Sequence, residues 1–512
     1  MPVYAAVDIG SNSCRMLTVR VEADGTRKVL AADREVTRLG ESVFRAGAVS
    51  QEAMELVCSV LNRFSNEYGR FAPSAIRAVA TAAIRDTSNQ EEFVARASTA
   101  LGAPVEIISG QEEARLIHQG VQSAWPHPNE RLMIVDVGGG SAEIIISEKG
   151  RIKHAHSKPL GAVRLTGVFL KNDPPKPKEL GRMQDFIDEK LAPVVSETGT
   201  RPCDRAIATS ATAGAMVGAV AGVDRGQRDE ADRLSAGRGA VRKLYNELIE
   251  MDTAARARVT GIGPRRAQII VPGVAVLLRC MELFKLPELF YSTAGVRDGI
   301  IADLRGQWAA GEAAGMTAEQ RTAVETMASR YGVALPHASA VASFCMALFH
   351  SLAAIHGLTP YWARILEAAA WLYDVGHFIS DNGHHRHAEY VVAHSDLPGF
   401  TDREKRLVSM LCRFHRKSMP GNRHHTFQEL PAEDRRALLW LIPLLRLGDA
   451  LDFGKEQRVA AADCTVADRA VVLRVVARGG ANTDLEQWAC ENTAAQFEDV
   501  YGRPLAVTGS NA

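Results

Sequence analysis

Val3-Tyr4-Ala5-Ala6-Val7-Asp8-Ile9-Gly10-Ser11-Asn12-Ser13 and Leu132-Met133-Ile134-Val135-Asp136-Val137-Gly138-Gly139-Gly140-Ser141 repeat one arrangement: an apolar β-type run, an Asp, then a turn of small residues. The runs Val3 to Val7 and Leu132 to Val135 read as buried strands. The small residues let the backbone turn sharply with its N–H groups pointing into one cavity, and such a nest binds anions. The Asp adds a hard oxygen ligand, so a divalent cation and phosphate oxygens can meet there without cysteine or imidazole. One copy alone would read as an ordinary Gly-rich turn, but two in matching context read as phosphate loops on two facing halves. Neither is a Walker loop, and neither lies in a G-x-G-x-x-G fingerprint.

At 512 residues the chain exceeds one ordinary core, and several domains are expected. Its 60 basic and 60 acidic residues balance, so no global field recruits nucleic acid or an anionic membrane, and any polyanion site has to be local. The eight cysteines are scattered without a C-x-x-C, which predicts free thiols in a reducing cytosol and gives no sign of zinc. No segment approaches the ~18 consecutive apolar residues of a membrane span, and no basic n-region precedes an apolar core. A soluble cytoplasmic protein is expected.

Residues 1–124 read as an α/β half, with a helix from Gln51 to Tyr68, a strand from Ala75 to Ala80 and a helix from Gln111. A second half, 125–306, restarts at Leu132 and has strands near Ile144 and Ile207, with the Pro- and Lys-rich stretch Asn172 to Glu179 as an exposed loop. From about Thr317 the texture turns to long helical patterns (His337 to His356, Trp362 to Tyr373, Arg435 to Leu451), giving an all-helical domain over 315–456. A strand from Ala470 to Arg478 and a helix from Asn482 to Val500 make 457–512 a small α/β tail.

Ser109-Gly110-Gln111-Glu112-Glu113 opens the helix between the two loops. Ser109 and Glu112 have capping-box spacing, which gives Glu112 a structural task. Glu113 shares a face with Leu116, Ile117 and Gly120 and points inward, where desolvation raises its pKa towards the range of a general base. The alternative is a carboxylate that pairs with Arg115 or the helix dipole. Arg85 ends a strand-turn stretch where its guanidinium could fork onto phosphate oxygens, or pair dully with Asp86. Thr209-Ser210-Ala211-Thr212 and Gly295-Val296-Arg297-Asp298-Gly299 are weaker candidates for a second phosphate contact.

Taken in order, D-I-G-S-N-S, A-T-A-A-x-R, S-G-Q-E-E-A-R-L-I, D-V-G-G-G-S-A-E, T-S-A-T and S-x-x-G-V-R-D-G resemble the Ppx/GppA family of exopolyphosphatases and guanosine pentaphosphate phosphatases. The family belongs to the actin, sugar kinase and heat-shock ATPase superfamily. The likeness spans nearly the whole chain and includes Leu372-Tyr373-Asp374-Val375-Gly376-His377 and His415-Arg416-Lys417 of the helical region. It implies two ribonuclease-H-like domains flanking a cleft, followed by the helical HD-like domain and the tail.

By position the resemblance makes Glu113 the water-activating base and Arg85 a phosphate grip, and gives Mg²⁺ to Asp136 and Glu143, with Asp8 as a further ligand. Gly10, Ser11, Asn12 and Ser13, with Gly138, Gly139, Gly140 and Ser141, supply loop contacts; Ser210, Thr212 and Arg297 add substrate contacts. Other divalent cations and stimulation by a monovalent cation stay open. Positioning, charge neutralisation and one oriented water suffice for phosphoryl transfer, so no Ser or Cys nucleophile is required.

Two departures stand out. Ala211 replaces the glycine of T-S-G-T and lacks its freedom at positive φ. The His-Asp metal doublet of the HD fold reads Tyr373-Asp374, so His337, Asp374 and Asp449 are expected to form a polar core instead of a second centre. His385, Arg386 and His387, with His415, Arg416 and Lys417, concentrate positive charge and are read as a basic track for a polyphosphate chain. The leading function is terminal hydrolysis of inorganic polyphosphate; the alternative is conversion of guanosine pentaphosphate (pppGpp) to ppGpp. An ATP-dependent kinase is disfavoured because no adenosine-pocket signature is apparent, and a silent nucleotide sensor because Glu113 is present. The resemblance also suggests a homodimer.

Overall fold

The computed structural model describes residues 1–22, 26–310, 315–467 and 470–511, and the chain divides into two compact units, Met1–Gly306 and Gln307–Ala512.

In the first unit the repeat seen in sequence is a repeat of topology. Strands β1 (Val3–Ile9), β2 (Cys14–Val21), β3 (Arg27–Glu35), β4 (Ala75–Ala80) and β5 (Val105–Ile107) form a sheet of order β3-β2-β1-β4-β5. Strands β6 (Arg131–Val137), β7 (Ala142–Glu148), β8 (Arg151–Lys158), β9 (Arg205–Thr209), β10 (Ser235–Gly237) and β11 (Glu288–Tyr291) give β10-β11-β9-β6-β7-β8. In each sheet the first three strands run antiparallel and the next ones add in parallel, so β6-β7-β8-β9-β11 copies β1-β2-β3-β4-β5, and β10 is an antiparallel addition at the edge. The central strands read as continuous apolar runs because both faces are covered.

Two helices join the halves. Helix Gly110–Ala124 sends Leu116 into a cluster with Tyr4, Ala6 and Val79 of the first sheet, and Ala114, Ile117 and Val121 into a cluster with Ile134, Ile145 and Ile207 of the second. Helix Val296–Ala310, which follows the last strand of the second half, returns Ile300, Ile301 and Leu304 to the first sheet. The two helices cross so closely that a Cβ on Gly299 would lie 1.9 Å from the carbonyl oxygen of Leu116. Only glycine fits there.

The Pro-rich stretch is a loop over residues 172–176, as expected, but its end is helical. Pro177 starts helix Pro177–Thr198, where its missing N–H costs nothing, and Glu179 is the buried partner in that helix's capping box.

In the second unit six helices (Ala318–Arg330, Leu335–Ser351, Pro360–Leu372, His384–His394, Asp402–Phe414 and Ala432–Ala450) enclose one apolar core. The tail holds three strands where one was expected: β12 (Val459–Val466), β13 (Val471–Ala477) and β14 (Leu505–Asn511). Its helix is broken into Asp484–Glu491 and Ala494–Tyr501. Val459, Leu473 and Phe497 of the tail join the same core as Phe344 and Leu441, so residues 457–512 and the helices share one interior. No helix among the described residues is long and apolar enough to cross a membrane.

Candidate active site

The two loops meet in the first unit. Gly10 N–H donates to Ser13 O and Gly138 N–H to Ser141 O, the same turn in each copy. Their tips touch: a Cβ on Gly140 would lie 2.6 Å from Ser11 Oγ. Together with the carboxyl ends of the parallel strands they line a cavity of about 260 Å³. Asp8, Gly10, Ser11, Asn12 and Ser13 line it from one half, and Asp136, Gly138, Gly139, Gly140, Ser141 and Ser210 from the other; Glu113 and Arg297 complete it.

Strand register explains the chemistry of the walls. Asp8, Arg15 and Arg34 form one row across β1, β2 and β3. The equivalent row across β6, β7 and β8 is Asp136, Glu143 and Ser157. The position after the shared Asp is thus cationic in one half and anionic in the other. Arg15 and Arg34, which the motifs did not reveal, join the expected Arg297 in a basic wall of the cavity. The signal was in the pairing, since Arg15 lies directly opposite Asp8 once the hairpin is drawn.

Glu113 sits in the first turn of its helix, capped by the Ser109 hydroxyl, which accepts from Glu112 N–H. Burial raises its carboxyl, Arg85 pulls the other way, and Asp8 and Asp136 raise it further, leaving it at about 7. Arg85 Nη1 donates to Glu113 Oε2 at 2.9 Å and to Ile108 O at 2.8 Å. Glu113 therefore pairs with Arg85 and not, as the alternative had it, with Arg115; Asp86 pairs with Arg164. Arg85 stands behind Glu113, outside the cavity lining.

Asp8, Asp136 and Glu143 are also held above the usual carboxylate range. Burial is the main cause in each; Arg15 opposes it at Asp8 and the Thr209 hydroxyl, a donor to Asp136, opposes it there. Glu143 is raised furthest, by burial and then by Glu113 and Asp136, although Ser157 donates to it at 2.7 Å. Mutually repelling carboxylates with oxygen donors alone fit a hard divalent cation such as Mg²⁺, which would restore their charged forms.

Behind Glu113 lies a buried ion cluster. Arg115 donates to Glu112 at 2.7 and 2.9 Å and to Asp303 at 3.1 Å, and Arg77 donates to Glu112 at 3.0 Å and to Asp303 at 2.9 Å. Burial raises the Glu112 carboxyl, but Arg115 and Arg77 outweigh it and bring it to about 2. Glu112 is structural, but not through the expected capping box: only the Ser109 half of it forms, and the Glu112 carboxylate holds Arg115 and Arg77 instead. Glu112→Gln is expected to lower unfolding stability by about 3 kcal/mol at pH 7, because it leaves two buried guanidiniums short of a charge. The depressed pKa places this contribution above the unfolded value near 4.5, so the wild-type advantage shrinks as pH falls from there towards 2. Urea melts of the two proteins at pH 7 and at pH 3 measure it.

Three expectations are corrected. Thr212 is fully buried against Arg266 and its hydroxyl cannot reach a substrate. The positive φ of that loop falls on Ser210 (76°), not on Ala211, which lies inside helix Ser210–Ala221. Ala211 is therefore accommodated without strain, and Ser210 Oγ is engaged with Val137 O at 3.0 Å. In the second unit His384, His385 and His415 are buried, and burial first, then neighbouring cations, push His385 down to about 4; burial does the same to His415. They are neutral at pH 7. Of the expected track only Arg386, Arg416 and Lys417 are exposed cations, and His387 is half-buried.

His337 and Asp449 do form a polar chain: His337 stands 2.8 Å from Asp452 and 2.7 Å from the Tyr373 hydroxyl, which donates to Asp449. Asp374 is not part of it and bonds Lys455 instead.

Residues 18–307 match the model of the Ppx/GppA phosphatase family, and 320–491 match Ppx/GppA phosphatase, domain III. A guanosine-5'-triphosphate,3'-diphosphate pyrophosphatase of Aeromonas hydrophila is 29% identical over 415 residues, 80% of each chain. The crystal structure of the Aquifex aeolicus Ppx/GppA family member superposes with a TM-score of 0.52 at 27% identity, covering 60% of this chain and 98% of that one. An exopolyphosphatase from Cytophaga hutchinsonii shares the fold at a TM-score of 0.56 and 24% identity over 60% of this chain and 98% of its own.

Proposed function

The chain belongs to the Ppx/GppA phosphatase family, and from that premise we propose that it is an exopolyphosphatase, which hydrolyses the terminal phosphoanhydride of inorganic polyphosphate with a water activated by Glu113. The observation that carries this reading is that a basic wall, Arg15, Arg34 and Arg297, and two carboxylates, Asp8 and Asp136, line one cavity together with Glu113, while Glu143, paired with Asp136 across the sheet, is buried outside the lining. A chain of bare phosphates is held by charge alone. Among the described lining residues the one aromatic side chain is Tyr291, and it is buried.

Arg85 takes one carboxylate oxygen of Glu113 and leaves the other to accept a proton from water. The raised pKa makes that carboxylate a stronger base than a solvated one and suits it to neutral pH. The loop amides and the basic wall bind the terminal and penultimate phosphates, and orient the anhydride for in-line attack. Asp8, Asp136 and Glu143 are the residues that would hold Mg²⁺, which when bound neutralises charge developing on the phosphate oxygens.

The second reading, conversion of pppGpp to ppGpp, is favoured by the Aeromonas relative, matched over four-fifths of both chains and named for that activity. It uses the same base. Long polyphosphate, pppGpp and ATP offered side by side to the purified protein, with phosphate release measured, separate the readings. A kcat/KM for polyphosphate at least about tenfold above the others supports the first; preference for pppGpp replaces it with the second, and preference for ATP overturns both.

A further inference from the structure

The carbonyls of Gly138, Gly139 and Gly140 are all claimed by the start of one helix, Ala162–Phe169. Ala162 N–H donates to Gly138 O at 2.9 Å, Val163 and Arg164 N–H donate to Gly139 O at 2.9 and 3.1 Å, and Arg164 Nε donates to Gly140 O at 2.8 Å. In a trans peptide the next N–H points opposite to the carbonyl, so the N–H groups of Gly139, Gly140 and Ser141 face away from that helix, and all three residues line the cavity. Backbone holds the first two carbonyls. The third, whose peptide carries the Ser141 N–H, is held by a side chain that also reaches the other half. The Arg164 guanidinium pairs with Asp86, and its Cζ lies 4.0 Å from the centre of the Phe44 ring. Phe44 is on helix Leu39–Ala46, whose Gly40 N–H holds Ser11 O of the first loop at 2.7 Å. Asp86 directly follows Arg85, the donor to Glu113.

We propose that Arg164 is a positioning residue for the hydrolysis: it sets the Gly140–Ser141 peptide of the second phosphate loop against the Arg85–Glu113 pair of the first half. The role rests on the reading of Glu113 and the loops given above, and not on the choice between polyphosphate and pppGpp. The base and the amide that faces the phosphate belong to opposite halves, and in-line attack needs their separation fixed to a fraction of an ångström. Only a planar fork does this from one side chain: Nε donates to the peptide oxygen, Nη2 donates to the carboxylate, and the flat face covers Phe44. Lysine has a single nitrogen for the same three tasks. Arg164 and Asp86 stand outside the cavity lining, so they act through the loop and not on the substrate. With the guanidinium gone, the Gly140–Ser141 peptide is free to rotate and its N–H leaves the phosphate. The substrate is still gripped by Arg15, Arg34 and Arg297, so the loss falls on turnover and not on binding.

The test measures kcat and KM of the full-length protein at saturating Mg²⁺, on whichever of polyphosphate and pppGpp the wild type turns over faster, with Glu113→Gln alongside. Arg164→Ala should lower kcat about 30-fold, within what a displacement of ~1 Å costs, and leave KM within about threefold of wild type. Its melting temperature should stay within about 4 °C. Asp86→Ala, at an exposed side chain, keeps the bond to Gly140 and should cost about fivefold in kcat. Combined with Arg164→Ala it should cost nothing more, because Asp86 acts through that guanidinium. Arg164→Lys should recover part of the lost turnover and not all of it. A kcat within about twofold of wild type in Arg164→Ala, losses that add in the double variant, or a loss carried by KM overturns the role. If Arg164→Ala does not fold, Asp86→Ala and Arg164→Lys must each lower kcat with KM intact, or the role fails. Wild-type turnover by Glu113→Gln would instead overturn the reading of the site on which the role rests.

Discussion

Glu113→Gln is expected to lower kcat on polyphosphate by about 10³-fold while substrate affinity stays within a few-fold of wild type. The amide has the shape of the acid, and its oxygen can still accept from Arg85, so the cavity is preserved. What it loses is the capacity to take a proton from water. Removing the charge also relieves Asp136 and Glu143 of a repelling neighbour, so cation binding should not weaken. Rapid-quench turnover alongside equilibrium binding of polyphosphate checks this. Loss of binding in parallel with turnover would make Glu113 a substrate-holding or structural residue. The adjacent Glu112→Gln is the control: it should cost stability, with kcat near wild type where the protein is folded.

Asp136→Asn is expected to lower activity by about 3 kcal/mol of transition-state stabilisation, roughly 10²-fold, at limiting Mg²⁺. Raising Mg²⁺ should recover part of the loss, because one charge is gone from a set that includes Asp8 and Glu143, and not every ligand. Thr209, which donates to Asp136, can still bond an amide oxygen, so a folding defect is not expected. Activity against Mg²⁺ concentration for both proteins measures it. Full wild-type activity in EDTA would sink the role assigned to the cation.

Much of this site was legible in the chain because its signals are local. Strand, Asp and small-residue loop are contiguous, and the inward face of Glu113 follows from helical spacing within about two turns. Arg15 and Arg34 escaped because their role depends on hairpin register across β1, β2 and β3, which no contiguous motif records. Thr212 was misplaced because its hydroxyl, in the first turn of helix Ser210–Ala221, faces the interior, while the motif suggested a loop. The histidines failed for a related reason. Counted in sequence they are potential charges, but packing places His384, His385 and His415 inside, where the charged form is disfavoured. In the tail, β12 is alanine-rich and β14 is largely polar, so neither carries the β-branched alternation by which strands are recognised.

The central claim is that Glu113 is the base, and the pH dependence of kcat/KM tests it most directly. A carboxylate acts in its ionised form, so activity should rise with pH as Glu113 loses its proton, with a midpoint of about 7 that cation binding at the neighbouring carboxylates draws downward. Charge changes at its two named neighbours must move that limb in opposite senses. Arg85→Gln removes the cation that favours the ionised form and should shift the limb up by about one unit; Asp136→Asn removes an anion that opposes it and should shift the limb down. Opposite displacements of one acid limb, measured on the same substrate at saturating Mg²⁺, are the predicted result. An acid limb that is absent, or that stays put in both variants, would contradict the assignment of Glu113 and with it the account of how this site works.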